Sequence, residues 1–92
     1  MNIRTLRRSI DQIDSQMLRL LNRRMRVARR IGKLKRQLGN HWVDPQRERA
    51  ILERLSRRNH GPLTTAGLHA VYRRIFVNTR AVQRPIARRR PR

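Results

Sequence analysis

One stretch governs what this chain can fold into. Between residues 3 and 38 apolar side chains recur at Ile3, Leu6, Ile10, Ile13, Met17, Leu20, Val27, Ile31, Leu34 and Leu38, in steps of three and four broken only between Leu20 and Val27. That seam predicts a single helix of about 36 residues, or ~54 Å at 1.5 Å per residue. A compact chain of 92 residues has a radius of gyration of only ~12 Å. Such a helix projects beyond any core its own chain can build, and the expectation is a homodimer formed through it.

The remaining segments are punctuated by capping residues. Gly39-Asn40 stops the first helix, since both residues tolerate left-handed backbone. After the linker His41-Trp42-Val43, the pair Asp44-Pro45 reads as an N-cap followed by proline at the first helical position. The second helix carries the stripe Ile51, Leu52, Leu55, runs to about Arg58 and is ended by Asn59-His60-Gly61-Pro62. Thr64 or Thr65 caps a third helix whose expected inner face is Leu68, Val71, Tyr72, Ile75, Phe76 and Val82, ending before Pro85. The fold class is therefore all-α: a three-helix chain with one long N-terminal helix. Residues 1–84 form one helical domain and residues 85–92 a basic tail expected to be disordered. Trp42 is expected to cover the dimer core.

Composition narrows function. The chain has 25 Lys and Arg against 5 Asp and Glu, a formal charge of +20, and no cysteine. A single small domain cannot enclose the pocket of a two-layer α/β enzyme. Without thiolates, and with His41, His60 and His69 at no ligand spacing, no metal site is expected. Residues 1–8 lack a signal-peptide core, and no run approaches ~18 apolar residues; a cytoplasmic protein with no membrane partner is expected. The charge invites nucleic-acid binding, because Lys and Arg release counterions from phosphates. Weak, non-specific electrostatic contact is the form of it retained.

Several residues break the apolar pattern. The seam position between Leu20 and Val27 is Arg24. A guanidinium there either snorkels to water or fixes dimer register, or else it belongs to a buried anion site. Lys35 lies 11 residues further on, ~16 Å along the axis and within ~20° of the same face, so both cations can reach one small anion. Gly32 between them leaves room beside the backbone. Asp44, Arg47 and Glu48 share one side of the second helix's first turn, where capping and the helix dipole alone account for them. Thr79 and Gln83 extend the third helix's inner face with uncharged hydrogen-bonding groups, which either a fraying end or a buried ligand explains. Asp11 and Asp14 read as solvated or inter-helix charges. Glu53 can pair with Arg49 or Arg57.

Leu6-Arg7 with Ile10 and Asp14, Leu20-Leu21 with Arg24, Ile31-Gly32-Lys33-Leu34-Lys35, Asp44-Pro45-Gln46-Arg47-Glu48-Arg49 with Ile51-Leu52, and Thr79-Arg80-Ala81-Val82-Gln83 together resemble the all-helical chorismate mutases over residues 3–84. Each segment is weak alone; their order and spacing carry the resemblance. It implies an intertwined homodimer that rearranges chorismate to prephenate in phenylalanine and tyrosine biosynthesis, without a cofactor. It also implies roles. Arg7 reaches into the partner's site and binds a substrate carboxylate, Arg24 binds the other end of the dianion, and Lys35 holds a carboxylate and the ether oxygen. Arg47 adds positive potential, Asp44 and Glu48 hold the substrate hydroxyl, and Thr79 and Gln83 form a polar pair with Gln83 facing the ether oxygen. Lys35, Gln83, Arg24 and Glu48 are the implied catalytic residues.

That chemistry suits a chain with no evident nucleophile, metal or histidine base. The rearrangement is intramolecular and concerted, so no proton need move, and fixed cations and amide donors can select the reactive conformer and stabilise charge on the breaking ether. Gln83, an amide, donates at any pH. Two alternatives stand beside this reading: an isochorismate-pyruvate lyase on the same scaffold, against which the presence of both Asp44 and Glu48 argues, and a basic dimeric nucleic-acid-binding protein. The arginine excess and the tail Arg88-Arg89-Arg90-Pro91-Arg92 depart from the family's pattern.

Overall fold

The structure, a computed structural model, describes residues 2–39 and 43–84. They form three helices and no strand: α1 (Ile3–Gln37), α2 (Pro45–Arg58) and α3 (Thr65–Gln83). The expectations placed on Asn40, His41, Trp42 and the tail 85–92 lie outside the described residues.

Each helix starts where a side chain can accept from an otherwise unpaired first-turn N–H. The Asn2 Oδ1 accepts from the Thr5 N–H at 2.9 Å, the Asp44 Oδ1 from the Arg47 N–H at 3.0 Å and the Thr64 Oγ1 from the Gly67 N–H at 2.9 Å. Caps of this kind contribute ~1 kcal/mol each. Asp44 is a cap that the sequence marks, Thr64 is the one of the Thr64/Thr65 pair that caps α3, and Asn2, a residue type that favours this position, caps α1. The long helix closes at Gln37, one residue before the expected Leu38, because Gly39 turns the chain with a φ of 75°. No helix among the described residues is long and apolar enough to cross a membrane.

The third helix is the hub. It packs against both α1 and α2, which make no packing contact with each other among the described residues. α2 and α3 run antiparallel, joined at one end by Ser56 Oγ and His69 Nε2, 2.9 Å apart, and at the other by the pair Glu48–Arg80. Ile51, Leu68 and Phe76 are buried in the small core.

Against α1 the fit is closer still. Ala28 and Gly32 are the buried residues of α1, and a Cβ built on Gly32 would lie 2.7 Å from the Gln83 Cα, 2.8 Å from its carbonyl oxygen and 2.9 Å from its Cβ. The space beside Gly32, expected from the sequence to leave room for an anion, is thus taken by the end of α3.

The first half of α1 is bare. Ile3, Leu6, Ile10, Ile13, Met17 and Leu20 are each between 48% and 65% exposed. Two smaller expectations are corrected. Val71 is exposed rather than inward, because it sits one residue, ~100°, round α3 from Tyr72. Glu53 is exposed and pairs with neither Arg49 nor Arg57; a fully solvated pair gains too little to hold two long side chains together.

The Gly32 contact yields a stability prediction. In an open helix Gly→Ala gains ~1 kcal/mol of helix propensity. Here the new methyl meets backbone atoms that cannot rotate away, an overpacking cost of ~1–3 kcal/mol. Gly32→Ala should therefore lower the thermal midpoint despite its better propensity, as thermal unfolding followed by circular dichroism will report.

Candidate active site

Because α3 holds α1 and α2 apart, a cleft of about 590 Å³ opens between them. It is lined by Leu20, Val27, Ala28, Ile31, Ile51 and Phe76 as its apolar surface, and by Arg23, Arg24, Lys35, Asp44, Arg47, Glu48, Thr79 and Gln83 as its polar one. Four cations face two carboxylates. The net charge of the wall is positive and suits a small dianion.

Arg24 is the most constrained of the cations. Its Nη1 donates to the Thr79 Oγ1 at 2.5 Å, and its guanidinium carbon lies 6.0 Å from the centre of the Phe76 ring. Phe76 is in turn held edge-on by Tyr72, with ring centres 5.9 Å apart. Thr79 can accept from Arg24 because its own hydroxyl proton goes to the Ile75 carbonyl at 2.8 Å. A hydroxyl has one proton and two lone pairs, and both functions are used. Arg24 is half-buried at the cleft wall, so the snorkelling alternative does not describe it.

Lys35 lies on the same face of α1, half-buried, with no hydrogen bond or ion pair to any other described residue. Across the cleft, the first turn of α2 presents Asp44, Arg47 and Glu48. Capping does explain Asp44, yet all three side chains also border the cleft. Glu48 accepts from Arg80 of α3, Nη1 to Oε2, at 2.5 Å. Gln83 is buried, at 6% exposure, and its side-chain amide has no hydrogen-bond partner among the described residues. Its main chain is fixed by Gly32 on one side and by Arg36, whose Nη1 donates to the Gln83 carbonyl at 2.7 Å, on another.

Seven residues singled out in the sequence therefore meet in one cleft: Arg24, Lys35, Asp44, Arg47, Glu48, Thr79 and Gln83. Arg7 does not join them. It is exposed on α1, 17 residues and ~25 Å along the axis from Arg24. Three further residues escape a reading of the sequence. Arg23 borders the cleft beside Arg24, and the sequence offers only that adjacency. Arg80 and Arg36 act on partners 32 and 47 positions away in the chain, a proximity that no local pattern encodes.

An all-helical chain with a cationic cleft between its first two helices and an amide at the end of the third is the class of protein these observations define. The model of the family described as chorismate mutase type II matches residues 6–84, and the chain belongs to that family. It is 41% identical over 81 residues to a bifunctional chorismate mutase/prephenate dehydratase of Neisseria gonorrhoeae, covering 87% of this chain and 22% of that protein. It is 39% identical over 54 residues to the intracellular chorismate mutase of Mycobacterium tuberculosis, covering 59% of this chain and 51% of that one. Among solved structures, chorismate mutase (form II) from Thermus thermophilus superposes with a TM-score of 0.87 at 32% identity, over 88% of this chain and 92% of the other. The chain thus spans about a fifth of the length of the bifunctional relative.

Arg36 gives the site a prediction of its own. A charge-assisted hydrogen bond contributes ~1.5–3 kcal/mol when shielded, and less at an exposed residue such as Arg36. Arg36→Met should destabilise the fold by about 1 kcal/mol and accelerate amide hydrogen exchange in the last turn of α3. Exchange confined to its wild-type rate there would show that the carbonyl contact holds nothing.

Proposed function

We propose that this protein is a chorismate mutase, converting chorismate to prephenate without metal or cofactor. The observation that carries the reading is the convergence of seven polar side chains, from all three helices and the N-cap of α2, on one cleft of a chain that belongs to the chorismate mutase type II family. Chorismate is a flexible dianion with two carboxylates, a ring hydroxyl and an enolpyruvyl ether. One C–O bond breaks as one C–C bond forms, and electrons circulate within the substrate.

The protein's contribution is therefore positional and electrostatic. Arg24 and Lys35 bind carboxylates and fold the side chain over the ring, an orientation that removes much of the entropic barrier. Glu48 accepts from the ring hydroxyl, Asp44 supports it, and Arg47 raises the positive potential. Lys35 and the Gln83 amide N–H stabilise negative charge growing on the ether oxygen. Removing one such donor costs ~3–4 kcal/mol in the transition state, by analogy with an oxyanion hole. The same reading includes a cytoplasmic location, supported by the intracellular relative, and a homodimer. Two facts support the dimer: the uncovered apolar half of α1, and the ~25 Å separating Arg7 from Arg24, which lets Arg7 serve only the partner's cleft.

Purified protein incubated with chorismate should yield prephenate, with EDTA having no effect. Pyruvate from isochorismate and no prephenate from chorismate would assign the lyase instead. The pH dependence distinguishes the donor at position 83. A carboxylate there repels the developing ether charge and donates only when protonated, so Gln83→Glu should lose activity progressively as pH rises, while wild type stays level over the same range.

The shared site has a stoichiometric signature. Arg7→Ala and Arg24→Ala should each be nearly inactive. In a mixed dimer one cleft has lost both arginines and the other is intact. With random assortment half the dimers are mixed, so co-refolding equal amounts should restore about one quarter of wild-type sites. Mixed dimers confirmed by mass, with turnover no higher than in the separate variants, would refute the shared site.

A further inference from the structure

The cleft ties its anions down by hydrogen bonds, one of them to a cation, and pairs none of its lining cations with an acid. Asp44 is engaged as an N-cap through Oδ1, and Glu48 is engaged by Arg80 through Oε2. Lys35 and Arg47, by contrast, have no side-chain hydrogen bond or ion pair to any described residue. Arg80 itself is not among the residues that line the cleft. It holds Glu48 through Oε2, one position after the Thr79 that holds Arg24, so consecutive residues of α3 fix opposite walls.

This arrangement answers an electrostatic problem. A carboxylate on a flexible side chain, placed in a cleft with Arg24, Lys35 and Arg47, competes with a dianionic substrate for those same cations. An internal ion pair needs no loss of a second molecule's translational freedom, and so it competes well. We infer that Arg80 is a positioning residue: it draws the Glu48 carboxylate to the rear wall, keeps it from quenching the cleft's cations, and leaves Oε1 to face the substrate hydroxyl. The inference rests on the proposed mutase reading, since it supposes a hydroxylated dianion in the cleft. The pair is partly solvated, with side chains 30% and 26% exposed, so its role is orientation more than stability.

The consequence is a rescue that a purely structural contact does not give. In Arg80→Met the alkyl stem is kept but the freed Glu48 turns inward. KM for chorismate should rise about tenfold, with kcat falling less and the helical content and mass of the folded protein unchanged. Arg80→Lys should restore much of the loss. In the double variant Arg80→Met/Glu48→Gln the intruding charge is gone, so KM should return to within about threefold of Glu48→Gln alone and lie below that of Arg80→Met.

The measurement is steady-state kinetics on chorismate for wild type and the four variants, with circular dichroism as the folding control. Losses that simply add in the double variant, or an unchanged KM in Arg80→Met, overturn the positioning role while wild-type turnover keeps the mutase reading. If Arg80→Met does not fold, Arg80→Gln, which also removes the charge, decides by the same criterion, alone and in combination with Glu48→Gln: additive losses refute it. No turnover by wild type overturns the mutase reading and this inference with it.

Discussion

The close approach of Gly32 to the backbone of Gln83 is the contact on which the site depends. A helix pair separated by ordinary side chains lies about 8–10 Å apart axis to axis, and here a missing Cβ lets α3 come in until its own main chain fills the gap. Thr79, Arg80 and Gln83 are then set at the heights where Arg24, Glu48 and the cleft need them. Since α2 touches only α3 among the described residues, the width of the cleft is a property of α3's two contacts. A shift at Gly32 would therefore move both walls.

Much of this is legible in the chain because it is local. The three-and-four spacing specifies α1, and Asp44-Pro45, Thr64 and Gly39 specify where helices start and stop through hydrogen bonds reaching no more than four residues. Arg24 stands out because it breaks a seam, and Thr79 and Gln83 because polar groups continue an apolar face. What is not legible is what depends on distance between helices. Arg80 reads as one more solvated arginine among many until α2 folds beside it. Gly32 reads as free space until α3 arrives to use it. Val71 reads as core because a stripe drawn on one helix has no sharp edge, whereas its actual partner covers a limited arc.

The surplus of positive charge has a local logic at the cleft and a different one elsewhere. Within the cleft, cations that lack protein partners are useful only if they are held in place by something other than a counter-charge. Arg24 shows how that is done: a neutral hydroxyl and an aromatic face orient the guanidinium while leaving its charge uncompensated. Had an acid taken the place of Thr79, the geometry would survive and the attraction for a dianion would not. Outside the cleft, most arginines face solvent and bear on solubility and long-range attraction of anions rather than on orientation.

The bare half of α1 and the cleft pose one problem rather than two. Six large apolar side chains in a row, each close to half exposed or more, are costly to leave in water, at ~25 cal/mol per Å² of apolar surface, and no segment of the described chain turns back to cover them. In the proposed dimer a second copy laid along the same stripe buries them, and in doing so brings Arg7 from a distance its own cleft cannot reach. Assembly and completion of the site are then driven by a single free energy. The hydrophobic seam, which has no chemistry of its own, becomes what delivers a cation to the substrate, and a polar residue introduced into that seam would lower activity by dilution of dimers before it altered any group in the cleft.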